Sequence, residues 1–283
     1  MNFLFSGCSK CFKEFPRASF AAKPDFSGFD RESWQPRCDQ AHRAAADKVR
    51  QAKTPTSAKK LSSESGARYS ALFQLPYYDA IRFCLIDPMH NLLLGSAKHV
   101  LKTWIEMGIL SEADMQKLQK RINIIKPPSE IGRIPNKVSD GFKGFTADQW
   151  KNWVCIYSLF SLKGVIPNQH YAMWTNFVQA CQILCSKVIT VEECQQADEK
   201  LLSFCKMFEN LCGKERCTPN MHLHGHLRDC ILDYGPIYSF WCFSFERYNG
   251  IMGDYHTNNV NIGKDTANLL IDFFEIDTYC MSK

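Results

Sequence analysis

A Cys-x-x-Cys at residues 8–11 and a His-x-x-x-His at residues 222–226 stand near opposite ends of a 283-residue chain. Together they supply a complete Cys2His2 set for one tetrahedral zinc, at about 2.3 Å to sulfur and about 2.0 Å to nitrogen. Such a site would tie the N-terminal segment onto the C-terminal helices, and every element between would have to fold so that residue 8 meets residue 226.

Each half has other readings when taken alone. Cys8-Ser9-Lys10-Cys11 can be a redox dithiol, two ordinary cysteines or half of a zinc site, with Lys10 favouring the thiolate. A thioredoxin-like site wants a βαβ context, which the sequence does not show. In Met221-His222-Leu223-His224-Gly225-His226, Leu223 stands where the HExxH protease motif has its glutamate, so that chemistry is excluded. On a helix beginning at Pro219, His222 and His226 would share one face and His224 would point roughly opposite. The alternative is three partly exposed histidines at a helix start.

The rest of the pattern predicts a mainly helical protein. Residues 1–30 show little periodicity, 31–52 favour a helix after Pro36, and 53–66 (KTPTSAKKLSSESG) predict a flexible or Ω-type linker. A division into 1–66, a CxxC segment with a basic linker, and 67–283, a helical domain carrying the histidines, follows. Asp87-Pro88 predicts a helix start running to about Ile109, with Asp87 as cap. Ser111-Glu112-Ala113-Asp114 and Thr190-Val191-Glu192-Glu193 are capping boxes. Helices are expected over 146–162, 168–187, 190–212, from Pro219 to Gly235-Pro236, and over 237–250 and 264–280; 127–144 is expected to be loop. No stretch alternates with period two.

Composition narrows the function classes. The longest apolar runs, Phe240–Phe243 and Leu92–Leu94, are far too short for a membrane span. Fourteen cysteines could suggest a disulfide scaffold. Half of them, including Cys155, Cys181, Cys185, Cys194, Cys205, Cys212 and Cys230, fall inside helical periodicity, where a free thiol acts as a small hydrophobe. With no secretory leader expected after Met1, a reduced intracellular setting, and specifically the nucleus, is the expectation. The net charge of +5 is carried by residues 1–66, which hold 12 Lys and Arg against 7 Asp and Glu. A basic arm on a neutral body suits a polyanion, or simply a soluble linker. Phosphate-loop, GxGxxG and GxSxG motifs are absent.

Four segments taken together, GCSKCFKEF (7–15), LIDPMHNLLLGSAKHVLKTWIE (85–106), CTPNMHLHGHLRDCILDYGP (217–236) and FSFERYNGIMG (243–253), resemble the transposases of CACTA (En/Spm-type) DNA transposons. They occur in the family's order and extend over nearly all of the chain. The resemblance implies a DDE/D recombinase with an RNase H-like core, in which two aspartates and a later acid hold two divalent metals at a phosphodiester. On that mapping Cys8, Cys11, His222 and His226 are structural zinc ligands and Glu246 is the final catalytic acid. Asp87 and His90 match a further family motif near the active site. The implied partners are DNA, at transposon ends, and a second copy of the chain; no membrane is implied.

Both catalytic aspartates of the family precede the CxxC, whereas only seven residues precede Cys8 here and none is acidic. The expected fold is therefore the helical insertion and C-terminal catalytic helix of an RNase H-like core with most of the sheet missing. Mg2+ or Mn2+ would serve only with those aspartates restored, so the chain is expected to be catalytically incomplete. A non-catalytic, zinc-stabilised helical module that binds DNA or protein is the second expectation, and a CxxC thiol oxidoreductase the third. A helix carrying FWCFSFERYNG without its sheet is expected to expose aromatic surface.

Overall fold

The computed structural model describes residues 8–19, 23–128, 131 and 136–253. Two compact units make up the chain, Met1–Trp241 and Cys242–Lys283. Among the described residues there are no strands, only two isolated antiparallel bridges, Cys11 with Pro36 and Arg17 with Pro24. The protein is mainly helical, as its sequence pattern predicts. No helix among the described residues is long and apolar enough to cross a membrane.

The first unit begins with an extended segment folded back on itself. Phe12 N–H donates to Gln35 O at 2.8 Å and Arg37 N–H to Lys10 O at 2.9 Å. Helices α1 (Asp39–Arg50) and α2 (Pro55–Ser65) follow. The second of these corrects the expectation of a flexible linker over 53–66. The stretch is polar, but its ends carry start and stop chemistry. The Thr54 hydroxyl accepts from Ser57 N–H at 3.2 Å, Pro55 occupies the first helical position, and Gly66 closes the helix at φ 68°. Polar composition alone does not make a linker when both caps are in place. The boundary placed at residue 66 falls inside the first compact unit.

A π-helical stretch, Met89–Ala97, runs directly into α3 (Lys98–Glu106). The Asp87 carboxylate starts it by accepting from Met89 N–H at 3.3 Å and His90 N–H at 2.9 Å. Helix α4 (Glu112–Asn123) opens on the predicted box, with Ser111 and Asp114 each bonded to the other's backbone amide. The expected helix over 146–162 is α5 (Ala147–Asn152), a π-helical turn Trp153–Tyr157, and α6 (Ser158–Leu162). The long pair α7 (Asn168–Leu184) and α8 (Val191–Cys212) then packs side by side. The Thr190–Glu193 box caps α8 as predicted.

An aromatic stack fills the core between these helices. Trp104 meets Trp174 at 5.6 Å between ring centroids, Trp174 meets Phe177 at 5.0 Å, and Phe177 meets Phe204 at 4.8 Å. Burying each such side chain contributes about 1.5–3 kcal/mol, more than any cap in the structure. The two indole N–H groups of this stack are satisfied, Trp104 on His170 Nδ1 and Trp174 on Ser158 Oγ. Cys181, Cys194, Cys205, Cys212 and Cys230 are buried free thiols. They act as core packing, which is how helical periodicity reads them.

Beyond Gly213 lie α9 (Pro219–His224) and α10 (Leu227–Tyr234). The sequence predicts one helix from Pro219 to Gly235. The chain instead breaks at Gly225 and His226, and His226 becomes the residue before α10, at φ −116° and ψ −1°. In the second unit, α11 (Phe243–Gly253) has no buried residue. Phe245, Tyr248, Ile251 and Met252 on it are exposed, in keeping with the aromatic surface expected there. The helix expected over 264–280 lies outside the described residues.

Replacing Thr54 with Ala removes a cap worth about 1 kcal/mol, and Gly66→Ala forces a left-handed residue at a cost of about 1 kcal/mol. Because α2 buries none of its residues, the loss is local. Faster amide hydrogen exchange across 55–65, with the global melting transition nearly unchanged, is the expected result.

Candidate metal centre

The N-terminal cysteines are held in place before any ligand is considered. Arg37, itself buried, donates from Nε to Cys8 O at 2.9 Å and to Cys11 O at 3.0 Å, and from Nη1 to Ser65 O at 2.8 Å. One guanidinium thus fixes both ends of the Cys-x-x-Cys turn and ties it to the end of α2. The ammonium of Lys10 bonds Ile81 O at 2.6 Å. The Lys10 backbone N–H reaches the Cys8 sulfur at 3.3 Å. The charge neighbouring both thiols is therefore that of Arg37, rather than Lys10 as the sequence suggests.

The break between α9 and α10 brings the two histidines to the same point. Cys8, Cys11, His222 and His226 are all buried, and one ligand atom from each lies within 4.8 Å of every other. The two imidazoles stand 5.1 Å apart, centroid to centroid. Cys11 Sγ is 3.4 Å from His222 Nε2. Two ligands of a tetrahedral zinc at about 2.3 and 2.0 Å are separated by about 3.5 Å, so this spacing suits one ion. His226 Nε2 is buried without a hydrogen-bond partner, and His226 Nδ1 faces Asp229 at 4.0 Å. A buried imidazole nitrogen left open beside two thiols is what a metal ion satisfies. These four residues can hold a metal such as zinc.

Electrostatics point the same way. The hydrogen bond from Cys11 holds the Cys8 thiol far below its ordinary value, against burial and with help from His222 and His226. The same bond, together with burial, pushes Cys11 up. One thiolate is thus stabilised without metal, and a cation would be needed to stabilise the second. Burial lowers His222 and keeps it neutral, the form that ligates. Burial opposes charge on His226 too, but the nearby Asp229 carboxylate and Cys8 sulfur outweigh it and raise that ring. Metal binding here must displace protons, so affinity falls as pH falls.

Trp34 closes the site from the N-terminal segment. Its ring lies 4.2 Å from that of His222 and 5.5 Å from that of His226, and Phe15 meets His222 edge-on at 5.0 Å. Room for the indole exists only because residue 225 is glycine. A Cβ there would stand 2.6 Å from Trp34 Cζ3. Neither Trp34 nor Arg37 is marked as functional by its local sequence, since their roles depend on a loop returning across the cysteines. Gly225, set between two ligand histidines, is the one signal that could have indicated a close approach.

The other candidate residues fall elsewhere. His224 is fully buried, its Nε2 at 2.9 Å from Ser96 Oγ and its Nδ1 at 3.4 Å from Cys205 Sγ. Burial pushes it down to about 3, so it is a neutral core residue, as its opposite orientation predicts. None of the three histidines is partly exposed. Asp87 acts as a helix cap and its carboxylate also meets exposed His90 Nδ1 at 2.5 Å. Glu246, on the first turn of α11, is exposed.

Gly225→Ala should destabilise the chain by roughly 1–3 kcal/mol, because the new methyl meets a rigid indole that cannot swing away. Urea unfolding would read that loss, and zinc retention against a chelator should fall with it. Comparison of the chain with protein-family models, with curated proteins and with solved structures finds no match.

Proposed function

We propose that the chain is a zinc-clipped helical portion of a CACTA-type DDE/D transposase. In it the metal joins the N-terminal Cys-x-x-Cys to the histidine-bearing helices, and the chain by itself does not cut DNA. The observation that carries this reading is the burial of Cys8, Cys11, His222 and His226 around one point. That set is the one the family resemblance assigns, and it is also a set that closes geometrically. When bound, zinc would supply a structural cross-link and hold both thiols as thiolates.

The chain's own residues do the rest. Arg37 fixes the cysteine turn, Trp34 and Phe15 exclude water, and Asp229 faces the outer nitrogen of His226. Two-metal phosphodiester chemistry needs several carboxylates around both ions. On the family mapping this chain contributes Glu246 alone. The proposed inactivity rests on that single assigned acid, and Mg2+ or Mn2+ has no set of ligands assigned here.

Purified chain should carry one zinc, and the Cys8→Ser/Cys11→Ser variant should carry none. With Mg2+ or Mn2+ present, neither should nick or join a DNA substrate. Metal-dependent cleavage by the chain alone would overturn the inactivity, and absence of zinc would overturn the clip.

The basic excess in residues 1–66 favours a second reading, a non-catalytic module that binds DNA in the nucleus. It predicts affinity for a DNA duplex that falls linearly in log–log form as salt rises, as counterion release requires. Charge-reversing substitutions among Lys48, Lys53, Lys59 and Lys60 should lower both affinity and salt slope, measured by fluorescence anisotropy.

A further inference from the structure

A chain of alternating charges leads outward from the metal centre. His226 Nδ1 lies 4.0 Å from Asp229 Oδ2, and Asp229 Oδ1 lies 3.8 Å from Arg31 Nη2. Arg31 Nη1 also pairs with Asp198, a nearly buried carboxylate on α8. The four groups come from three places: the N-terminal segment, α8, and the start of α10. Asp198 Oδ1 has no hydrogen-bond partner, so its single strong attachment is to Arg31.

We propose that Asp229 is the positioning carboxylate of the metal centre. With metal bound it accepts from His226 Nδ1–H by closing the present 4.0 Å gap, turns Nε2 toward the metal, and is itself held by Arg31, which Asp198 anchors on α8. The inference rests on the zinc reading and adds to it the residues that set its affinity. An imidazole with one nitrogen bonded to a carboxylate is fixed in tautomer and ring orientation, and its other nitrogen is a better donor to the metal. His226 needs such a guide because it sits at a chain break, where its own backbone does not hold it in a helical register. His222, inside α9, has no carboxylate among the ion pairs of the described residues and is instead wedged between Trp34 and Phe15.

A competing role exists for Asp229. It stands in the first turn of α10, where an acid stabilises a helix through the macrodipole. Asp233 supplies the control: it lies one turn further on the same helix and pairs with Arg82. Asp198 supplies the other, because it is on a different helix and contributes nothing to the α10 macrodipole.

The experiment is zinc affinity by chelator competition, with the visible spectrum of the Co2+-substituted chain recorded in parallel. Asp229→Ala should weaken zinc about 10- to 100-fold and shift the cobalt bands, since the His226 ring loses its guide. Asp229→Asn, which keeps the shape, should fall between, and it serves if the alanine variant fails to fold. Asp198→Asn should weaken zinc in the same direction, whereas Asp233→Ala should leave affinity and spectrum unchanged. Affinity in Asp229→Ala and Asp229→Asn within twofold of the unsubstituted chain would overturn the proposal. So would an equal loss in Asp233→Ala, which would mark a general effect on α10. If the unsubstituted chain binds neither zinc nor Co2+, the zinc reading itself fails and this inference with it.

Discussion

The meeting of Cys11 with His222, 211 residues apart in sequence, is the constraint on which the first unit depends. Closing a loop of that length costs roughly 5 kcal/mol of chain entropy. A structural zinc returns about 10 kcal/mol or more in peptide systems, so an ion there outweighs the closure. The protein adds its own contribution before the ion, through Arg37 across the cysteine turn and Trp34 across the histidines. The helical core between them sets the distance that the two ends have to span. Its aromatic stack makes that distance rigid.

Two glycines decide how closely the parts approach. A Cβ at Gly95 would stand 2.2 Å from Asn220 Nδ2, so α9 can lie this close to the π-helical stretch because residue 95 has no side chain. Gly225 does the same for Trp34. Both glycines sit where backbone meets side chain from a distant part of the sequence. Their role is close approach rather than a left-handed turn, for neither has a positive φ.

Most helices were legible because their start signals are local. Ser111–Asp114 and Thr190–Glu193 form boxes that depend on four consecutive residues, and Asp87 caps from two and three residues away. The same locality hid α2, whose polar face resembles a linker although Thr54, Pro55 and Gly66 spell out a helix. The four residues that can hold a metal were legible from residue types and spacing, but their geometry was not. His222 and His226 meet through a break between two helices, not along one face. The Trp34 lid, the Arg37 clamp and the Asp229–Arg31–Asp198 chain were illegible because each depends on residues brought together from far apart. Lys10 shows the opposite error, a neighbour in sequence whose charge points to another carbonyl.

The wide separation of the ligands has a consequence for synthesis. At about 5–20 residues per second, a ribosome takes roughly 10–40 s to pass from the cysteine turn to the histidines. For most of that interval Cys8 and Cys11 have been made while His222 and His226 have not. The cysteine turn is therefore made long before it can be secured, and its two thiols must survive as a nascent dithiol until those two histidines emerge.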